Sequence, residues 1–328
     1  MHSLRFAPVL GLLFLAPWVG EYLLGNVSAR EILALPVLMP LYGGGALLIR
    51  EVVRRTGRGW PAIFLLAAAY GVIEAGLVDQ SLFNPQFEGH EFQAVTPVPA
   101  LGISATNSIS FIAGHVVWSI GIPIAIVETL TPDRRTTPWL GPVGLAATAA
   151  LYLSGCYLIF SELRDSEGFL ATPAQRTGAA TVAVALIVAA FMTRRRGSHR
   201  AGGGVPRPWV LGVGTFVLSS AFFARPENWL GGVVVGVTLL AVAAVLGARW
   251  SGRREWTARH RFALVAGALP TYAWGGFVLT GMMGPQDPVR WAGNVVFAVI
   301  AAVLLVVTGR AAAATSCRVA AGAPPVTV

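Results

Sequence analysis

The amino-acid sequence predicts an all-α fold, a polytopic transmembrane bundle of about ten helices. Three observations predict it. The chain is 55% hydrophobic and only 12% charged, with a mean hydropathy of +0.66, whereas a soluble domain carries about a quarter charged residues. The apolar residues fall in ten successive runs, most of them near the 20 or so residues that cross a ~30 Å hydrocarbon core. All 24 basic residues are arginines, and they concentrate in alternate gaps between the runs. A chain this apolar cannot stay solvated as a disordered one. Two cysteines in 328 residues exclude a disulfide scaffold.

The first run, residues 6–25, follows Arg5 and contains Glu21. The segment Met1 to Ala29 ends in Val27-Ser28-Ala29, which resembles a signal-peptidase site, but the run is long and carries a glutamate, so it is expected to remain as a helix. The second, 31–49, is interrupted by Pro36, Pro40 and Gly43-Gly44-Gly45, which predicts a kink or an unwound patch lining a cavity. The third, 60–79, opens on Trp60 and holds Glu74. The fourth, 105–129, holds His115. The fifth, 140–160, follows Trp139 and contains Cys156. Runs 177–193 and 209–224 are at the short end of the range. Run 229–247 carries Gly232 and Gly236 at GxxxG spacing, a close-packing signal. Runs 262–282 and 291–309 complete the set. Residues 1–309 thus read as one membrane domain, and 310–328, ending Ala323-Pro324-Pro325, as a disordered tail.

Orientation follows from the arginines. Alternate gaps hold Arg5, then Arg50, Arg54, Arg55 and Arg58, then Arg134 and Arg135, then Arg194 to Arg196, Arg200 and Arg207. The series continues with Arg249, Arg253, Arg254, Arg259 and Arg261, and ends with Arg310 and Arg318. The intervening gaps hold just Arg30, Arg164, Arg176, Arg225 and Arg290. By the positive-inside rule both termini are cytoplasmic. The lack of lysine, with abundant Ala, Gly and Val, suggests GC-rich coding and hence a bacterial inner membrane. Trp60, Trp139, Trp209, Trp229 and Trp291 stand at run starts, where interfacial aromatics belong. Nucleic acid is excluded as a partner, because the basic charge is spread over short gaps instead of one folded face.

Charged side chains inside a bilayer cost several kcal/mol by insertion scales and mark function by default. Glu21, Glu74 and His115 stand out, all in the first four runs and in the same half of the membrane. Tyr70 lies one turn before Glu74, on its face. Phe111 lies one turn before His115, and Asn107, Ser108, Trp118 and Ser119 share its face. These residues predict a polar cavity centred on Glu74 and His115 as candidate catalytic groups, with Glu21, Tyr70, Asn107, Phe111 and Trp118 lining it. Residues 80–104 would form a lid, with Phe83, Phe87 and Phe92 dipping over the cavity. Asp79 and Gln80 read as a helix end. Glu88-Gly89-His90-Glu91 has metal-ligand residue types but no spacing that fixes a geometry, so no metal and no cofactor are expected. The implied partners are the lipid bilayer and a small molecule or a membrane protein.

Glu74, followed by Phe111-x-x-x-His115, resembles the motif helices of the glutamate intramembrane endopeptidases, the CAAX-protease and bacteriocin-processing family. The resemblance covers about 50 residues. It implies that Glu74 activates water as a base and that His115 stabilises the oxyanion. Ala75 stands where that family has its second motif glutamate and Asp79 where it has arginine. No later run carries the second motif histidine, leaving Asn107 and Tyr70 as replacement donors. Three functions follow: a centre that binds or passes a small molecule or proton, an intramembrane hydrolase, or a structural subunit with a lipid-exposed face of small residues at Gly232 and Gly236. Pro17-Trp18-Val19-Gly20-Glu21, Tyr42-Gly43-Gly44-Gly45, Arg50-Glu51 and Leu82-Phe83-Asn84-Pro85 are similar to stretches of uncharacterised bacterial multi-pass proteins.

Overall fold

The computed structural model describes residues 3–195 and 204–320. Among the described residues there are ten apolar helices: α1 (Phe6–Tyr22), α2 (Ala29–Arg55), α3 (Trp60–Val78), α4 (Ala105–Leu130), α5 (Pro142–Glu167), α6 (Pro173–Met192), α7 (Pro208–Phe223), α8 (Leu230–Ser251) and α9 (Ala258–Met283), then α10 (Pro288–Ala320). Eight are long and apolar enough to cross a bilayer, while α1 and α7 are shorter. The chain is an all-α, multi-pass membrane protein.

Local chemistry sets where the helices begin. Proline occupies the first turn of α3, α5, α6 and α7, where its missing N–H is no loss. Ser28 caps α2 in a reciprocal box with Glu31, and Thr172 does the same for α6 with Gln175, each satisfying otherwise orphaned donors. The proline and glycine interruption of α2 produces no unwinding. Residues Met39–Gly43 take a π-helical turn instead, a one-residue insertion that keeps the backbone hydrogen-bonded.

The short helix expected at 177–193 begins four residues earlier, at Pro173, and reaches full crossing length. The last helix continues to Ala320, so residues 310–320 are helical where a disordered tail is expected. The run Ala311–Ala314 explains it, since alanine is the best helix former. The rest of the expected tail, 321–328, lies outside the described residues.

Half or more of the most apolar stretch of α2, α3, α4 and α9 is buried inside the protein, against 11% for α5 and α8. The first four helices and α9 therefore form the centre, and the Val/Ala/Leu-rich helices wrap it with apolar side chains facing outward. Leu12, Leu47, Ile63, Ile120 and Ile124 are fully buried in one core cluster. Trp18, Tyr22, Leu269 and Phe297 anchor a second.

Close approach of α1 and α2 depends on Gly43, where a methyl group would stand 2.6 Å from Leu13 Cα. Gly43→Ala is expected to lower stability by about 1–3 kcal/mol, the usual cost of overpacking, read as a lower unfolding temperature in detergent. Gly232 and Gly236 are buried in α8. They admit the Pro226 carbonyl and the Arg225 side chain, so the expected lipid-exposed small-residue face is absent. A loop of the same protein occupies it.

Three of the arginine-rich gaps meet at one end. Arg58 pairs by its backbone with Arg195, and Arg50 reaches the carbonyls of Arg134 and Arg135 at 3.0 and 3.1 Å. At the opposite end Arg30 meets Asp287 at 3.2 Å, and the hydrogen bond from Arg30 holds that carboxyl below its ordinary range. Gln80, with φ of 60°, turns the chain out of α3 and accepts from Ala171 N at 2.6 Å.

Candidate functional site

Four π-helical turns occur among the described residues: Trp18–Tyr22 in α1, Met39–Gly43 in α2, Glu74–Val78 in α3 and His115–Gly121 in α4. Each carries a polar residue of one cluster, respectively Glu21, Tyr42, Glu74 and the pair His115 and Ser119. Such insertions re-aim side chains and concentrate at functional sites. Here four of them converge on one point between four helices.

The contacts are direct. His115 Nε2 lies 2.7 Å from Glu74 Oε2. Apart from that contact Oε2 is buried without a hydrogen-bond partner among the described residues, so the imidazole is its nearest polar neighbour. The other imidazole nitrogen, Nδ1, is 3.2 Å from Ser119 Oγ. Tyr42 Oη is 2.6 Å from Glu21 Oε1 and 3.2 Å from Glu74 Oε1, bridging two carboxylates. The second Glu21 oxygen accepts from Asn26 Nδ2 at 3.1 Å, and Asn26 is exposed. Ser119 reaches this depth because the facing residue is Gly20, where a methyl would come within 2.8 Å of its hydroxyl.

Tyrosine rings enclose the pair. The Tyr70 ring stands edge-on to His115 at 5.5 Å, and the Tyr42 ring is 5.9 Å from the same imidazole. The Tyr70 hydroxyl is buried without a hydrogen-bond partner among the described residues, an uncommon state for a buried polar atom. Glu74 is 4% exposed. The centre is thus filled with its own side chains. Clefts open elsewhere, among them one of 680 Å³ between Asn84–Gly89 and Glu162–Phe169 and one of 360 Å³ beside Thr257, His260 and Cys317.

Three expected lining residues lie elsewhere. Asn107 Nδ2 donates to the Phe92 carbonyl and so ties α4 to the 80–104 segment. Phe111 meets the Phe92 ring at 5.5 Å, edge to face. Trp118 stacks on Tyr272 at 4.2 Å and donates to the Ala268 carbonyl at 2.9 Å, which joins α4 to α9. The π turn that begins at His115 changes the angular step between residues, so a uniform α-helical wheel misassigns Trp118. In the 80–104 segment a small hairpin, β1 (Pro97–Val98) with β2 (Ile103–Ser104), packs over the end of α4. Phe83 is buried, while Phe87 and Phe92 are half-buried and pair with each other.

Sequence reasoning puts Ser119 on the face of His115 but misses Tyr42 and a second cluster at the arginine-rich end. There Arg50, Glu51, Arg54 and Glu128 are all buried. Arg54 grips Glu128 with two hydrogen bonds of 2.7 Å. Arg50 donates to Glu128 at 3.2 Å and to Glu51 at 2.6 Å, with its guanidinium 3.5 Å over the Trp139 ring. Glu51 accepts from the backbone N–H groups of Trp139 and Leu140 at 2.9 and 3.1 Å. The available signal was Arg50 and Arg54 at i, i+4 spacing, together with Glu128 in the last turn of an otherwise apolar run.

Fold and buried polar centre together define a multi-pass integral membrane protein with ionisable groups enclosed between its first four helices. The profile of a family described as an uncharacterized membrane protein family matches residues 10–325, and the chain belongs to that family. No curated protein and no solved structure matches it.

Proposed function

We propose that the Glu21–Tyr42–Glu74–His115 centre binds and passes a proton, with the arginine-rich end of the bundle facing the cytoplasm. The observation that carries this is the tyrosine between two carboxylates. A phenol owns one proton and donates to one acceptor at a time. Both contacts are hydrogen bonds only when one of the two acids carries a proton, which the bridge then shares. A change of donor at Tyr42 moves that proton from Glu21, beside exposed Asn26, to Glu74, beside His115. An imidazole is the side chain best suited to take it on near neutral pH. A proton is favoured over a small molecule because rings and carboxylates fill the centre.

The distance between Glu74 and His115 is also what the endopeptidase resemblance requires of a base and its partner. Both Glu74 oxygens face protein groups, however, and Asn107 is engaged in the loop, so the proton reading accounts for more of the contacts. The test is infrared difference spectroscopy of the reconstituted protein across a pH titration, paired with proton uptake into dye-loaded liposomes. Wild-type protein should show a carboxyl band that responds to pH and is lost in Glu74→Gln. His115→Ala should slow uptake by about tenfold or more, within the range of a single proton-transfer group. Spectra and uptake unchanged in both variants would make the cluster a packing device.

A further inference from the structure

We propose that the Arg50–Glu51–Arg54–Glu128 network is a lock that closes the proton centre to the arginine-rich face, so that the shared proton exchanges with the opposite face alone while the lock is shut. This rests on the proton reading above and adds its sidedness and control.

The two clusters sit on the same rods. In α2, Tyr42 precedes Arg50 by about 12 Å of helix, and in α4, His115 precedes Glu128 by about 20 Å, at 1.5 Å per residue. Lock and centre are therefore joined by two continuous helices, and a shift of one against the other moves both. Between them α2 (43–49) and α4 (120–127) carry apolar side chains and glycines alone. Leu12, Leu47, Ile63, Ile120 and Ile124 are fully buried there, in one cluster. Packing at crystal-like density leaves no path for a water chain through such a layer.

On the far side of the centre the situation reverses. Glu21 is partly exposed and bonded to exposed Asn26, so the relay has a wet end. Its other end stops at Ser119, one residue before the apolar layer. Below that layer the lock shuts the bundle. Glu128 holds both arginines, and Arg50 extends the grip to the 131–141 segment through the carbonyls of Arg134 and Arg135. Passage of a proton to the arginine-rich face thus requires α2 and α4 to part at Arg54 and Glu128. A bidentate arginine fork gives that contact a defined open and closed geometry.

Cysteine accessibility tests it on the full chain in sealed membrane vesicles of either orientation, with Cys156 and Cys317 replaced by alanine. Ile124→Cys places a reporter in the apolar layer, probed with a membrane-impermeant maleimide. The reporter should label slowly from both faces in the otherwise native protein. Adding Arg54→Lys, which keeps the charge and removes the fork, should raise labelling from the arginine-rich face about tenfold, the factor that accompanies 1.4 kcal/mol in an opening equilibrium. Glu128→Gln in the same background should do likewise. Size-exclusion profiles identify folded protein, on which the rates are read. Equal rates with and without the lock variants, or acceleration from the opposite face, would overturn the proposal. A pH-insensitive Glu74 band with lock-dependent labelling would instead remove the proton reading and leave the lock standing.

Discussion

Glu128→Ala is expected to destabilise the protein by about 3–5 kcal/mol, the cost of stranding a buried charge by removing its partner. The carboxylate serves two guanidinium groups, through three hydrogen bonds of 2.7 to 3.2 Å, in a site where none of the four charged side chains is appreciably exposed. Removing it leaves Arg50 with Glu51 and two backbone carbonyls, and Arg54 with the Arg58 carbonyl at 3.3 Å. Thermal unfolding in detergent at fixed pH and salt reads the loss. Arg30→Ala is the matched control. Its pair with Asp287 lies in solvent at the other end, where ion pairs contribute little, so the unfolding temperature should barely move. Equal effects in the two variants would show that the lock does not hold the bundle together.

Tyr42→Phe should separate activity from stability. The substitution keeps the ring that packs against Tyr70 and His115 and removes only the hydroxyl between Glu21 and Glu74. Stability should change by roughly 0.5–1.5 kcal/mol, the net worth of a typical hydrogen bond. Proton uptake should fall by at least about tenfold, because the two acids then have no shared donor. Gly43→Ala, one residue away, should behave in the opposite way, with a lower unfolding temperature and uptake per folded molecule largely retained. A Tyr42→Phe protein with normal uptake would place the proton path elsewhere.

Much of the molecule is legible in the sequence because the bilayer imposes a one-dimensional code. Length and hydropathy place ten helices, and three of the gaps that the arginine alternation groups do meet, Arg58 with Arg195 and Arg50 with Arg134. Glu74 and His115 are also legible, since an ionisable residue in an apolar run must find a partner. Tyr42 is not, because a tyrosine in an apolar helix carries no comparable penalty and appears ordinary. Glu128 hides for another reason. Near a helix end it reads as an interfacial charge, and only the folded loop at Trp139 and Leu140 shows that this end is closed over.

The sequence by itself determined the solvent, the number of helices and which residues could not be left alone in lipid, because each of these depends on the transfer free energy of local segments. Which partner each such residue meets was decided by the tertiary structure. The π turns in α1 to α4 carry Glu21, Tyr42, Glu74 and His115 and bring them toward one point. A one-residue insertion in a helix costs little locally and leaves almost no mark in composition, and packing against three neighbouring helices selects where it occurs.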